Sequence, residues 1–209
     1  MALKLYGFPL STYVRTARMA CVEKGVIYEL EPLSPAECQA RRLHPFGKIP
    51  VMEHDGLRLF ETSAIVRYID ASFDGPPLQP DGRIEQARME QWISAIGDTI
   101  YDAMIRRCVL QYAFPRREDG QPDRKVIVPA LKQTRRQLEV LDEAYGDRSF
   151  LDGDNLSLAD LFLAPILFYL ARIPPEGPGL LEAAPNVRRG IAVMENRTSF
   201  GETVPPSPE

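Results

Sequence analysis

The chain is short of the residues that mark several protein classes. It has three cysteines in 209 residues, at positions 21, 38 and 108, and no Cys-x-x-Cys. That spread gives neither a disulfide framework nor a zinc site, so a reducing cytoplasm is the expected compartment. The two histidines, His44 and His54, have no ligand partner at suitable spacing, and no metal is expected. No apolar run approaches the roughly 20 residues that span a bilayer. The start, MALKLYGFPLS, lacks the charged-then-apolar order of a secretion signal, so no membrane association is expected. A net charge of −4 leaves no basic footprint for nucleic acid. Hydrophobic residues at 44% and charged residues at 26% then describe an ordinary globular protein, long enough for two modest cores.

The pattern along the chain divides in two. Residues 2–6 read as a strand bounded by Gly7 and Pro9, and Ser11 to Lys24 as a helix closed by Gly25. A second strand over 27–31 completes a βαβ unit, which implies two parallel strands. A polar stretch, 32–48, is read as irregular. Ile49–Met52 and Leu57–Phe60 flank the turn Glu53-His54-Asp55-Gly56 and predict an antiparallel hairpin, after which Glu61-Thr62-Ser63 opens a helix to about Phe73. DGPPLQPDG, residues 74–82, is too rich in breakers for helix or strand. Beyond it the strand signal ends, and four helices are expected, over 83–112, 125–145, from Ser157, and over 185–197. The expected organisation is an α/β domain over 1–75, a linker over 76–82, an all-helical domain over 83–200 and a disordered tail over 201–209.

Three motifs sit on this frame. Leu43-His44-Pro45-Phe46-Gly47-Lys48-Ile49-Pro50-Val51 resembles the N-P-x-G-[KQ]-[IV]-P stretch of cytosolic glutathione transferases. Phe60-Glu61-Thr62-Ser63-Ala64-Ile65 resembles their [FL]-x-E-S-x-A-I segment, with Thr62 where Ser is usual. Leu156-Ser157-Leu158-Ala159-Asp160 resembles the S-x-A-D motif of their helical domain. The resemblance covers essentially the whole chain. It implies a thioredoxin-like N-terminal domain, an all-α C-terminal domain, glutathione as co-substrate, a small hydrophobic electrophile and a homodimer. Within the family the chain is most similar to serine-type members, the theta and phi classes.

Glutathione reacts as its thiolate. A free thiol has a pKa of about 8.5, and lowering it by roughly two units takes about 2.7 kcal/mol of preferential anion stabilisation. A hydroxyl donor with the positive end of a helix can supply that. Ser11, at the start of the first helix, is placed for the task; its competing role is a plain N-cap. Tyr6 and Tyr13 are alternative donors, since tyrosine-type relatives use a phenol from the end of the first strand. The resemblance implies further roles. The Ile49 backbone pairs with the glutathione peptide as an added strand, Pro50 is the cis-proline, and Lys48 reaches the glycyl carboxylate. Glu61 accepts from the γ-glutamyl ammonium, while Thr62 and the helix start bind the neighbouring carboxylate. Ser157 and Asp160 read as a capping box.

Serine-type relatives often carry a His-Lys pair where this chain has Pro35-Ala36, leaving Gln39, Arg41 or Arg42 as substitutes. The electrophile is expected in a cleft between the domains, met by Phe8, Pro9, Leu10 and Thr12 and by Tyr101, Met104, Ile105 and Cys108. Trp92 is read as core. A non-catalytic binding module of the same fold is the alternative, and glutathione-dependent dehalogenation, isomerisation or peroxide reduction are alternatives within enzymes.

Overall fold

A computed structural model of the chain describes residues 2–151, 153–174 and 176–206. The chain divides into two compact units: one joins the stretch up to Pro80 with the stretch from Glu195 on, and the other runs from Asp81 to Met194.

The first unit is built on β1 (Leu3–Tyr6), α1 (Thr12–Glu23), β2 (Tyr28–Glu31), α2 (Pro35–Ala40), β3 (Val51–His54), β4 (Leu57–Phe60) and α3 (Thr62–Ser72). The sheet order is β2-β1-β3-β4. The first pair is parallel and the other two antiparallel, as a βαβ unit followed by a hairpin requires. Asp55 and Gly56, both at positive φ (46° and 82°), make the two-residue turn of that hairpin. Alternation along the strands separates two faces. Leu3, Leu5 and Met52 are buried on the face covered by α1 and α3. Tyr6 and Val51 lie on the other, packed with Leu33 and Cys38.

The polar stretch read as irregular contains a helix. Ser34 and Glu37 form a capping box, Glu37 N–H donating to Ser34 Oγ (3.2 Å) and Ser34 N–H to Glu37 Oε2 (2.8 Å), with Pro35 in the first turn. The tail also departs from expectation. A short helix, α10 (Thr198–Glu202), follows Arg197 and packs on α1, and Thr203 is fully buried, so order extends past residue 201. Residues 207–209 of the predicted tail lie outside the described residues.

In the helical unit, the long helix over 83–113 is one run of changing pitch. α4 (Arg83–Ala95) continues into π-helical turns at Ile96–Ile100 and Asp102–Val109 and ends in α5 (Leu110–Ala113). It packs on α6 (Arg124–Tyr145) and α7 (Leu158–Leu170); α8 (Glu176–Glu182) and α9 (Pro185–Glu195) follow. α7 is apolar on every side and buried on every side, as a central helix must be. Its start is held by Asp160, which accepts from Ser157 N–H (2.9 Å), Ser157 Oγ (3.0 Å) and Leu151 N–H (2.7 Å). Burial pushes that carboxyl up to about 6 despite these bonds. Among the described residues no helix is long and apolar enough to cross a membrane.

Candidate active site

The register of the sheet brings the singled-out segments to one end. Glu31, Tyr6, Val51 and Phe60 form a single row across the four strands. Ser11 lies five residues beyond Tyr6, Ile49-Pro50 immediately precede Val51, and Glu61-Thr62 immediately follow Phe60. The turn after β1 and the loop before β3 also meet directly. Gly7, at φ 154°, lies where a Cβ would clash with Val14 and come within 3.3 Å of the Ile49 Cβ. Only glycine allows that close approach.

Ser11 is the N-cap of α1 and half-buried. Its Oγ accepts from Val14 N–H at 3.4 Å, and its carbonyl accepts from Arg15 N–H at 2.9 Å. A hydroxyl that accepts at oxygen still has its proton to give, so capping and donation are compatible in one residue. Tyr6 is differently committed. Its hydroxyl donates to Glu53 Oε2 at 2.6 Å, and burial together with that carboxylate pushes its pKa up to about 12. A phenol bonded to a carboxylate is a poor donor to a thiolate. Tyr13 is half-buried in the first turn of α1.

The Ile49–Pro50 peptide is cis, with Pro50 buried, Ile49 half-buried and Lys48 exposed. The loop before it is held by a residue that motif matching passes over. His44 stands where the motif has Asn, and its Nδ1 accepts from Phe46 N–H at 3.0 Å, the bond an Asn side chain makes in an Asx-turn. The ring is 4% exposed and lies 4.9 Å from that of Phe60. Burial holds its pKa below the usual histidine value, Lys48 adds to that and Glu61 opposes it. These influences place Lys48 and Glu61 in the electrostatic neighbourhood of the same ring.

Glu61 is exposed and caps α3 through its backbone at φ 66°, ψ 118°. Thr62 is buried at the first position of α3. A non-glycine residue at such a φ is strained by roughly 1–3 kcal/mol, and strain of this kind clusters at ligand-binding sites.

Pro35 and Ala36 form the first turn of α2. Arg41 is ion-paired with Glu31, Arg42 is exposed at φ 54°, and Gln39 lies against Gly47, its Oε1 3.0 Å from where a Cβ would stand. Of the substitutes considered, Gln39 is thus the one that lies against Gly47, the residue before Lys48.

The electrophile candidates separate. Phe8 is 44% exposed and Leu10 half-buried, but Thr12 is buried. Tyr101 is half-buried. Met104, Ile105 and Cys108 are at most 3% exposed, on a segment packed on α6 and α7. Met104 and Cys108 continue the buried stripe of Met89, Ile93, Ile96 and Ile100 at three-to-four-residue spacing. Trp92, read as core, is half-buried on the wall of an open groove of about 580 Å³ with Ile100, Pro129 and Val140.

All three cysteines are buried, and burial pushes each thiol up, Cys21 to about 12. Among the described residues no group of three or more His, Cys, Asp or Glu side chains is arranged to hold a metal.

Known proteins match both halves of the chain. The family model described as glutathione S-transferase, N-terminal domain, matches residues 5–77, and the one for the C-terminal domain matches residues 87–189. Glutathione S-transferase 4 of Zea mays is 34% identical over 98% of this chain and 94% of its own. The crystal structure of poplar glutathione transferase F1 superposes with a TM-score of 0.86 at 26% identity, covering 97% of this chain and 96% of that one. A glutathione S-transferase from Methylobacillus flagellatus, solved with glutathione bound, gives 0.82 at 28% identity, over 98% of this chain and all of that one. With a thioredoxin-like unit, a helical unit and such relatives along almost its whole length, this chain belongs to the glutathione S-transferase family and is a glutathione transferase.

Proposed function

We propose that the protein conjugates glutathione to small hydrophobic electrophiles, with the Ser11 hydroxyl donating a hydrogen bond to the thiolate. The reading is carried by the row Glu31–Tyr6–Val51–Phe60, which sets the start of α1, the cis-proline loop and the start of α3 at the same end of one sheet. In it, the peptide of glutathione runs along Ile49 beside Pro50. Its γ-glutamyl carboxylate meets Thr62 and the start of α3, its ammonium meets Glu61, and its glycyl carboxylate meets Lys48 with Gln39 alongside. Phe8 and Leu10 offer apolar surface near Ser11 for the electrophile. The commitment of Tyr6 to Glu53 supports serine over tyrosine chemistry.

The test is Ser11→Ala, assayed with glutathione and an aryl halide. Loss of one preorganised donor to a developing anion lowers kcat/KM on the order of 10²-fold, and the thiol of bound glutathione titrates at higher pH. Unchanged values in both measurements reject the role of Ser11. Dehalogenation, isomerisation and peroxide reduction use the same thiolate, and a substrate screen separates them from conjugation. We further propose a cytoplasmic homodimer, on the strength of the family; sedimentation checks its assembly.

A further inference from the structure

α1 carries Arg15 and Thr16 among residues that an ordinary amphipathic helix keeps apolar or exposed, yet Arg15 is 0% exposed. Burying a guanidinium is costly unless its N–H groups find acceptors. Acceptors for Nη2 and Nε come from the far end of the chain. Arg15 Nη2 donates to Phe200 O at 3.0 Å, and Nε to Thr203 Oγ1 at 3.3 Å, with the guanidinium 4.2 Å from the centre of the Phe200 ring. One turn on, Arg18 donates to Glu202 O (3.1 Å) and Thr203 O (3.3 Å). At the end of the helix, Glu23 accepts from Arg197 Nη2 (2.6 Å) and Ser199 Oγ (2.5 Å). Two arginines thus satisfy carbonyls at the C-terminal end of α10, where the helix leaves them unbonded and its dipole favours a cation.

The attachment reaches Ser11 by one step. The N–H of Arg15 holds the carbonyl of Ser11 at 2.9 Å, so the residue whose side chain is fixed to α10 has its main chain fixed to the N-cap. We propose that residues 197–203 form a clamp on α1, and that Arg15 is a positioning residue that sets the aim of the Ser11 hydroxyl. The inference rests on the reading of Ser11 as the thiolate donor. Arg15 itself touches no substrate; it acts through the first turn of the helix.

The test uses the full-length protein with Arg15→Lys and Thr203→Val, each with and without Ser11→Ala. The readouts are the pKa of bound glutathione, followed by thiolate absorbance, its affinity by calorimetry, and kcat. Both single variants raise the bound thiol pKa and lower kcat by roughly threefold to tenfold, less than removal of the donor itself. Glutathione affinity stays within about twofold, since groups other than Ser11 hold the peptide. On the Ser11→Ala background the same changes add nothing further, because the group they aim is gone. A lower melting temperature with an unchanged bound thiol pKa in both variants makes the clamp merely structural and overturns the proposal. So does an additive effect in the double variants. If Ser11→Ala alone leaves the thiol pKa unmoved, the reading of Ser11 fails, and this inference with it. Thr203→Val keeps the shape of the side chain, so the test survives if Arg15→Lys does not fold.

Discussion

In the helical unit, α7 is buried on all sides and one carboxylate, Asp160, ties its start to the loop before it. In the thioredoxin-like unit, the residues at the sheet end lie in turns, with left-handed backbone at Arg42, Gly47 and Glu61, and exposed Lys48 and Glu61 stand among buried His44, Pro50 and Thr62. The first arrangement is stable because it excludes water. The second depends on local backbone shape, with His44 supplying an acceptor to its turn and Glu61 holding a left-handed conformation. A substitution in the helical unit should therefore be read in stability, and one at the sheet end in affinity or pH dependence before stability.

The largest effect tests the helical side. Asp160→Ala removes the acceptor of three hydrogen bonds inside the protein and leaves their donors unmatched. Bonds to a buried acceptor of this kind contribute about 1.5–3 kcal/mol each at most and are not additive, so a loss of about 3–4 kcal/mol is expected in urea unfolding. A loss below about 1 kcal/mol shows that water reaches the site and that depth is not what holds α7.

Glu61→Gly tests the other side. The left-handed backbone at residue 61 suits glycine better than glutamate. The strain relieved, roughly 1–3 kcal/mol, exceeds the roughly 0.5–1 kcal/mol of extra chain entropy that glycine loses on folding. Stability should rise by about 1 kcal/mol, while loss of the charge-assisted contact to the ammonium proposed for Glu61 should weaken glutathione by about tenfold or more. Stability and affinity moving in the same direction would break the contrast between the units.

Gly190→Ala returns to packing. On an exposed helix the change adds up to about 1 kcal/mol of stability. Here the new methyl collides with the ring of Tyr145, which is 2% exposed and has little room to move. Overpacking of about 1–3 kcal/mol outweighs the propensity, so thermal unfolding should show a net loss of about 1 kcal/mol.

How much of this was legible in the sequence depends on the kind of constraint. The strands, the hairpin and the two-unit division follow from alternation and breakers, because local patterns carry them. α2 was missed although Ser34-Pro35-Ala36-Glu37 is a complete capping box with proline in the first turn; six residues are too few for an apolar period to show. The buried face of α1 that meets α10 was not legible at all. Arg15 reads as a surface residue, and its acceptors lie more than 180 positions away. The inward stripe of the long helix follows its three-to-four-residue period, but the changes of pitch along it leave no mark in the sequence. At the sheet end, Lys48, Pro50 and Glu61 are singled out by motif and Ser11 by its place at the start of α1, whereas His44 is passed over because it stands in place of the expected residue.

That replacement gives the smallest effect at neutral pH and the finest probe of the sheet end. His44 Nδ1 can accept from Phe46 N–H only while that nitrogen is unprotonated. Burial, with Lys48 nearby, keeps the folded-state pKa below the ordinary 6.5, and Glu61 acts the other way. A lowered histidine pKa means the folded loop favours the neutral ring. Its stabilisation is complete above the unfolded value and is lost as pH falls through the folded one. As pH falls below the ordinary histidine value the loop bearing Lys48 and Ile49 should loosen, and glutathione affinity should fall with it. His44→Asn keeps the acceptor and removes the titration, so calorimetry from pH 7 down to about 5 should show a steeper loss in the parent than in the variant. At pH 7 the two proteins should bind glutathione within about twofold of each other. Parallel curves would mean that the turn keeps its shape without the Nδ1 bond, and that the aromatic packing against Phe60, rather than a polar contact, holds the loop.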